Sequence, residues 1–99
     1  MKITYSVTFD KTDFMRYISH LDLMRLFSRA LRRAGFNLYL SQGFNPRPII
    51  RIKDALKLGL KGENQQAEFV LSEKISEEEF KERIEKQLPE GITVKNVRL

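Results

Sequence analysis

The sequence predicts an α+β fold in which two strand–helix–strand units share one antiparallel sheet, with both helices on one face. Three observations predict it. Ile3, Tyr5, Val7 and Phe9 alternate with Thr4, Ser6 and Thr8, the period of a half-buried strand. Two later segments open on the same helix-start signal, a serine with an acid three residues on, at Ser19–Asp22 and Ser76–Glu79. Extended, β-branched or alternating segments flank each of them, so the order reads strand, helix, strand, strand, helix, strand.

The elements follow along the chain. After the first strand, Asp10–Asp13 reads as a turn and Phe14–Ile18 as a short extended piece. Ser19 is the expected N-cap of the first helix, with Asp22 at its third position and Ile18 placed to staple onto Leu23. Leu23, Phe27, Ala30, Leu31 and Ala34 recur at helical spacing and should face the core. Gly35 can end the helix in a left-handed conformation. Asn37–Ser41 is expected as a short strand, Gln42–Pro48 as a loop, and Ile49–Lys53 as a strand that the two prolines keep from starting earlier. Ala55–Leu60 alternates, Lys61–Gln65 reads as a polar turn, and Ala67, Phe69 and Leu71 mark a strand with one buried face. Ser76 and Glu79 form a full capping box, and Ile75 can staple onto Phe80. Phe80, Ile84 and Leu88 make the core stripe of the second helix, Pro89 and Gly91 end it, and Ile92–Leu99 is the last strand. This is the βαββαβ order of a ferredoxin-like sandwich, expected as a single domain over residues 1–99.

Composition narrows the function. Apolar residues are 41% and charged residues 31% of 99, an ordinary globular mix. The chain has no cysteine, which excludes disulfides, thiolate metal sites and cysteine nucleophiles. No apolar run is long enough to span a bilayer, and the alternating N-terminus is unlike a signal peptide, so a cytoplasmic location is expected. There is no metal-ligand cluster, and neither a phosphate-binding P-loop nor a dinucleotide motif occurs, so no cofactor is expected. The net charge of +5 is uneven. Residues 1–62 hold twelve Lys/Arg against four Asp/Glu, and residues 63–99 hold six against nine. Such a directional field favours one docking face for a polyanion.

Most of the basic excess that matters lies in Ser19–Pro48. Arg25, Arg29 and Arg32 are four and three residues apart and line one helix face as a basic patch, with Arg33 at its edge. The helix dipole accounts for basic residues in the last turn, and so for Arg32 and Arg33 better than for Arg25 and Arg29. No acid follows Asp22 on this helix, so the stripe should lack internal partners. In the loop, Gly43 permits positive φ or close approach, while Pro46 and Pro48 stiffen the chain. Gln42 and Asn45 can hydrogen-bond, Phe44 can stack on a base or plug the core, and Arg47 can pair with phosphate. Phenylalanine is more often core, and asparagine more often a turn-former. His20, the one histidine, sits in the first turn, where the positive helix end would hold it neutral. It could act as a general base on a ribose hydroxyl, although local packing is the commoner role. Glu77–Glu79 is first-turn charge rather than a carboxylate pair.

These motifs carry a resemblance. SHLDLMRLFSRALRRAG followed by LYLSQGFNPRP resembles the bacterial radical-SAM-linked domain of unknown function, which occurs alone or attached to a radical SAM enzyme. Ser19–Arg25, Ala30–Gly35 and Ser41–Pro48 match its pattern closely, Ala55–Leu60 loosely, and the similarity covers most of the chain. Arg47 stands where the family commonly has histidine, so any role of that histidine is lost or altered. Family members are usually much longer, so a minimal relative or a fragment is expected. The resemblance implies RNA- or ribosome-linked work, with the domain presenting a substrate while a partner does the redox chemistry. This chain lacks the three-cysteine cluster motif of that partner. The leading expectation is therefore a non-catalytic RNA-binding accessory domain that uses Arg25, Arg29, Arg32, Arg33 and Gln42–Arg47. The rivals are a small metal-independent endoribonuclease using His20, and a module that docks a radical SAM enzyme. The oligomeric state is left open.

Overall fold

A computed structural model describes residues 1–53 and 62–99. It contains β1 (Ile3–Lys11), a short 3-10 helix (Asp13–Tyr17), α1 (His20–Arg33), β2 (Ile50–Lys53), β3 (Gly62–Leu71), α2 (Glu77–Glu85) and β4 (Ile92–Arg98). The sheet order is β2-β3-β1-β4, and every neighbouring pair is antiparallel. This is the strand order of a ferredoxin-like βαββαβ arrangement, with α1 and α2 buried against one face.

Strand alternation makes that face. Tyr5, Val7 and Phe9 of β1, Ala67, Phe69 and Leu71 of β3, and Ile92, Val94 and Val97 of β4 are buried with Leu23, Phe27, Ala30 and Leu31 of α1 and Phe80 and Ile84 of α2. The spacing of Val94 and Val97 breaks period two because β4 carries a bulge. Thr8 faces Asn96 while Phe9 faces Val94, leaving Lys95 as the extra residue. Aromatic rings knit the layers. Phe80 stacks on Tyr5 at 4.7 Å and on Phe36 at 4.8 Å between centroids, and Phe27 meets Phe9 and Phe69 at 5.1 Å each. The Tyr5 hydroxyl donates to the Ile75 carbonyl (3.0 Å) and accepts from the Ile75 N–H (2.8 Å), which ties the entry of α2 to β1.

Both helices start as their serines dictate. Ser19 Oγ accepts from the Asp22 N–H, and Ser76 Oγ from the Glu79 N–H, each at 3.1 Å. Gly35 lies at φ 77° just past α1. Arg83 of α2 then completes the end of α1. Its guanidinium donates to the Ala34 carbonyl (2.9 Å), pairs with Glu79 (3.0 Å) and covers the Phe36 ring at 4.3 Å.

Four expectations are corrected. Leu88 is not part of the second helix, because Gln87 and Leu88 donate to the Ile84 and Glu85 carbonyls in tight turns that end α2 at Glu85, and Leu88 packs on the core only in part. Phe14–Ile18 is not extended, because Met15 and Ile18 donate to the Thr12 and Met15 carbonyls and turn Asp13–Tyr17 into a 3-10 helix. Asn37–Ser41 is not a strand but two isolated bridges, Leu38 to Leu71 and Leu40 to Pro48. Pro48 has no N–H with which to extend that pairing. The polar turn at Lys61–Gln65 is largely strand, because β3 begins at Gly62. The β1 ladder gives Gln65 and Gln66 backbone partners opposite Phe9 and Thr8, and pairing there outweighs low strand propensity. Asn64, at φ 54° beside a register shift, marks the irregularity. The expected alternation at Ala55–Leu60 lies outside the described residues.

Candidate functional site

The sheet topology decides which candidates can meet. β1 and β2 both run opposite to β3, with Ile3 facing Leu71 and Ile50 facing Phe69. The first residues of β1 and β2 therefore share one end of the sheet, and α1, which returns the chain, brings its C-terminal end there. The loop leading into β2 occupies the same end as Arg32 and Arg33. His20, at the start of α1, lies at the opposite end. Fourteen helical residues at 1.5 Å each make about 20 Å along the axis.

The loop is a closed projection. The Ser41 N–H donates to the Arg47 carbonyl (2.8 Å), and the Arg47 N–H donates to Ser41 Oγ (3.1 Å). These two bonds pin the base, and Gln42, Gly43, Phe44, Asn45 and Pro46 stand out beyond it. All five, with Arg47, are exposed. Phe44 is wholly exposed, so it does not plug the core. Gly43 sits at φ 132°, and a Cβ there would meet nothing within 4 Å. Its glycine is needed for the backbone bend, and the space around it is open. The side chains of Gln42, Asn45 and Arg47 make no hydrogen bond or ion pair among the described residues.

On α1 the buried set is Leu23, Phe27, Ala30 and Leu31, while Arg25, Arg29, Arg32 and Arg33 are exposed on the opposite side. One correction applies to the stripe. Arg25 does have an internal partner, Asp22 at 3.8 Å, although both side chains are more than half exposed, so the pair is weak. Arg29, Arg32 and Arg33 have no carboxylate within 4 Å among the described residues. The outer sheet face differs. There Arg51 and Lys53 share Glu68 at 3.8 and 3.5 Å, and Lys95 faces Asp10 at 3.9 Å. An open groove of about 430 Å³ runs over this face, past Ser6, Thr8, Gln66, Asn96 and Arg98. None of the nine binding candidates lines it. Unbalanced positive charge thus sits on α1 and the loop, while much of that on the sheet is neutralised.

His20 is exposed and hydrogen-bonds to no arginine. With the loop at the other end of α1, no single pocket holds both. Lys11, at the end of β1 nearest His20, is buried, and burial lowers its pKa. Among the described residues no group of three His, Asp or Glu could hold a metal ion, and no helix is long and apolar enough to cross a membrane.

Sequence reasoning missed one surface. Phe14 is 90% exposed and Tyr17 54% exposed. With Met15, Arg16 and Glu90 they line an open cavity of about 510 Å³ beside the start of α1. The signal was two aromatics flanking an arginine within four residues. Reading that stretch as extended hid it, since a strand would have put the two rings on opposite faces.

Over residues 4–99 the chain matches the model of a family described as an uncharacterized protein conserved in bacteria (DUF2344), and it belongs to that family. No curated protein matches the chain. No solved structure matches it either.

Proposed function

We propose that this domain binds RNA without cleaving it and presents it to a radical SAM partner enzyme. The observation that carries the reading is Phe44. Burying a phenylalanine side chain is worth about 1.5–3 kcal/mol, yet here the ring stands fully in solvent on a loop pinned at its base. Arg47 beside it and Arg29, Arg32 and Arg33 of α1, which have no ion pair among the described residues, supply phosphate contacts. An exposed ring next to free guanidinium groups suits a nucleotide, whose base stacks while its phosphate pairs. The chain holds no cysteine, so the metal cluster of a radical SAM reaction would come from the partner. The partner's identity rests on the motif resemblance alone.

Fluorescence anisotropy with labelled single-stranded RNA at low salt tests the binding. Affinity should fall steeply with added salt. Arg25→Ala combined with Arg29→Ala should lower the salt slope by about one to two. No binding at low salt, or an unchanged slope, overturns the reading. Co-purification with a radical SAM enzyme that survives ribonuclease treatment would mark a direct protein contact in place of RNA presentation. Structured RNA incubated with the protein in EDTA is expected to stay intact. Cleavage that disappears in His20→Ala would replace the non-catalytic role with the nuclease one.

A further inference from the structure

The cavity beside the 3-10 helix, which nothing above uses, has the chemistry of a second nucleotide site. Phe14 and Tyr17 present aromatic surface to it, and Leu21, the second residue of α1, is also 57% exposed. Free aromatic and aliphatic surface of this extent, gathered within eight residues, marks an interaction site rather than scattered exposure. Its charge says which kind. Arg16 lines the same cavity. Its Nη2 donates to the Tyr17 hydroxyl (2.8 Å), and its guanidinium carbon lies 5.1 Å from the Tyr17 ring centroid. Its buried Nε has no hydrogen-bond partner among the described residues. A half-buried cation held against an aromatic ring with an unpartnered Nε favours an anionic ligand that also has a flat apolar face. Glu90, also at the rim, can accept from an exocyclic amino group or a ribose hydroxyl.

The arginine stripe begins a few residues further along the chain. Leu21 lies four residues before Arg25, on the same side of α1, so the stripe runs from this shelf to the end that carries Phe44. Exposed aromatic surface therefore stands at both ends of one row of arginines. We propose that the Phe14–Tyr17 shelf stacks a second base of the same single strand, with Arg16 on its phosphate. The domain would then read a single-stranded segment laid along α1. This rests on the RNA-binding reading above. The helix spans about 20 Å, which at 3.4 Å per phosphate is at least about six nucleotides.

Oligouridines of graded length are the probe, with Phe14→Ala/Tyr17→Ala as the variant. Both rings are exposed, so the variant should keep the fold, which circular dichroism checks. Affinity for the wild-type protein should step up once the oligomer exceeds about six nucleotides. The variant should lose that step, about tenfold, and bind shorter oligomers as the wild type does. Because the chain has no tryptophan, Phe14→Trp provides a direct reporter, whose fluorescence only the longer oligomers should quench. If the variant binds every length as the wild type does and Phe14→Trp is not quenched, the shelf is not a base site, while RNA binding through the loop stands. A variant that changes only the oligomeric state makes the shelf a protein interface and also overturns the proposal. If no oligomer binds at low salt, the RNA reading itself falls and the shelf with it.

Discussion

Phe80→Ala is expected to remove a large share of the stability of this domain. Phe80 is fully buried, with Tyr5 of β1 on one side of its ring and Phe36, just after α1, on the other. Phenylalanine-to-alanine changes in cores cost about 3–5 kcal/mol, and native domains have only about 5–15 kcal/mol in all. The site cannot collapse easily. Tyr5 is held by both polar groups of Ile75, and Phe36 is held from above by Arg83. A loss of about 3 kcal/mol should lower Tm by roughly 12–24 °C in a domain of this size. Thermal unfolding followed by circular dichroism measures it, and a drop of a few degrees would mean that these rings do not carry the core. Phe36 leads directly into the base of the Ser41–Arg47 loop, so ordering of that loop should weaken in the same variant.

Gly91→Ala should cost more stability than alanine at Gly35 or Gly43. Gly91 has φ 97°, and an added Cβ would lie 2.8 Å from Met15 Cγ and 3.0 Å from the Thr12 carbonyl oxygen. The methionine can swing away, but the carbonyl cannot move freely. It accepts from the Met15 N–H, while the Thr12 N–H donates to the Gly91 carbonyl at 2.8 Å. Left-handed strain alone costs about 1–3 kcal/mol, and the clash adds to it. Gly43→Ala is the natural control, since Gly43 also has positive φ but open space around it. Chemical denaturation should show the Gly91 variant losing clearly more stability than the Gly43 variant. Equal losses would show that the Thr12–Gly91 approach relaxes at no cost. Hydrogen exchange should place the damage in the 3-10 helix that carries Phe14 and Tyr17.

How much of this was legible depended on whether a signal was local. The serine caps at Ser19 and Ser76, the alternation of β1 and most of both helical core stripes are written in spacing and are found in the structure, although α2 stops before Leu88 and the Glu79 carboxylate pairs with Arg83 rather than closing a capping box. The early start of β3 was not legible, because Glu63–Gln66 is polar and is paired only by a neighbour some fifty residues away in sequence. The bridge at Leu38 likewise depends on a distant partner, Leu71. In the candidate site, the loop and the arginine stripe stood out as residues. Their separation from His20 did not, because it follows from strand order. Whether Phe44 is core or exposed is likewise a tertiary fact, since an aromatic between Gly43 and Asn45 reads the same in either state.

The central position of β1 also matters while the chain is being made. Ile3 waits for Leu71 and Ser6 waits for Arg98, so β1 leaves the ribosome before either strand that pairs with it. At about 5–20 residues per second, several seconds pass before either neighbour exists. Throughout that interval the Tyr5–Val7–Phe9 face lacks α2, and both strand edges are free to pair wrongly. Nascent chains halted before β3 should therefore be the species that chaperones bind and that aggregates when they are scarce.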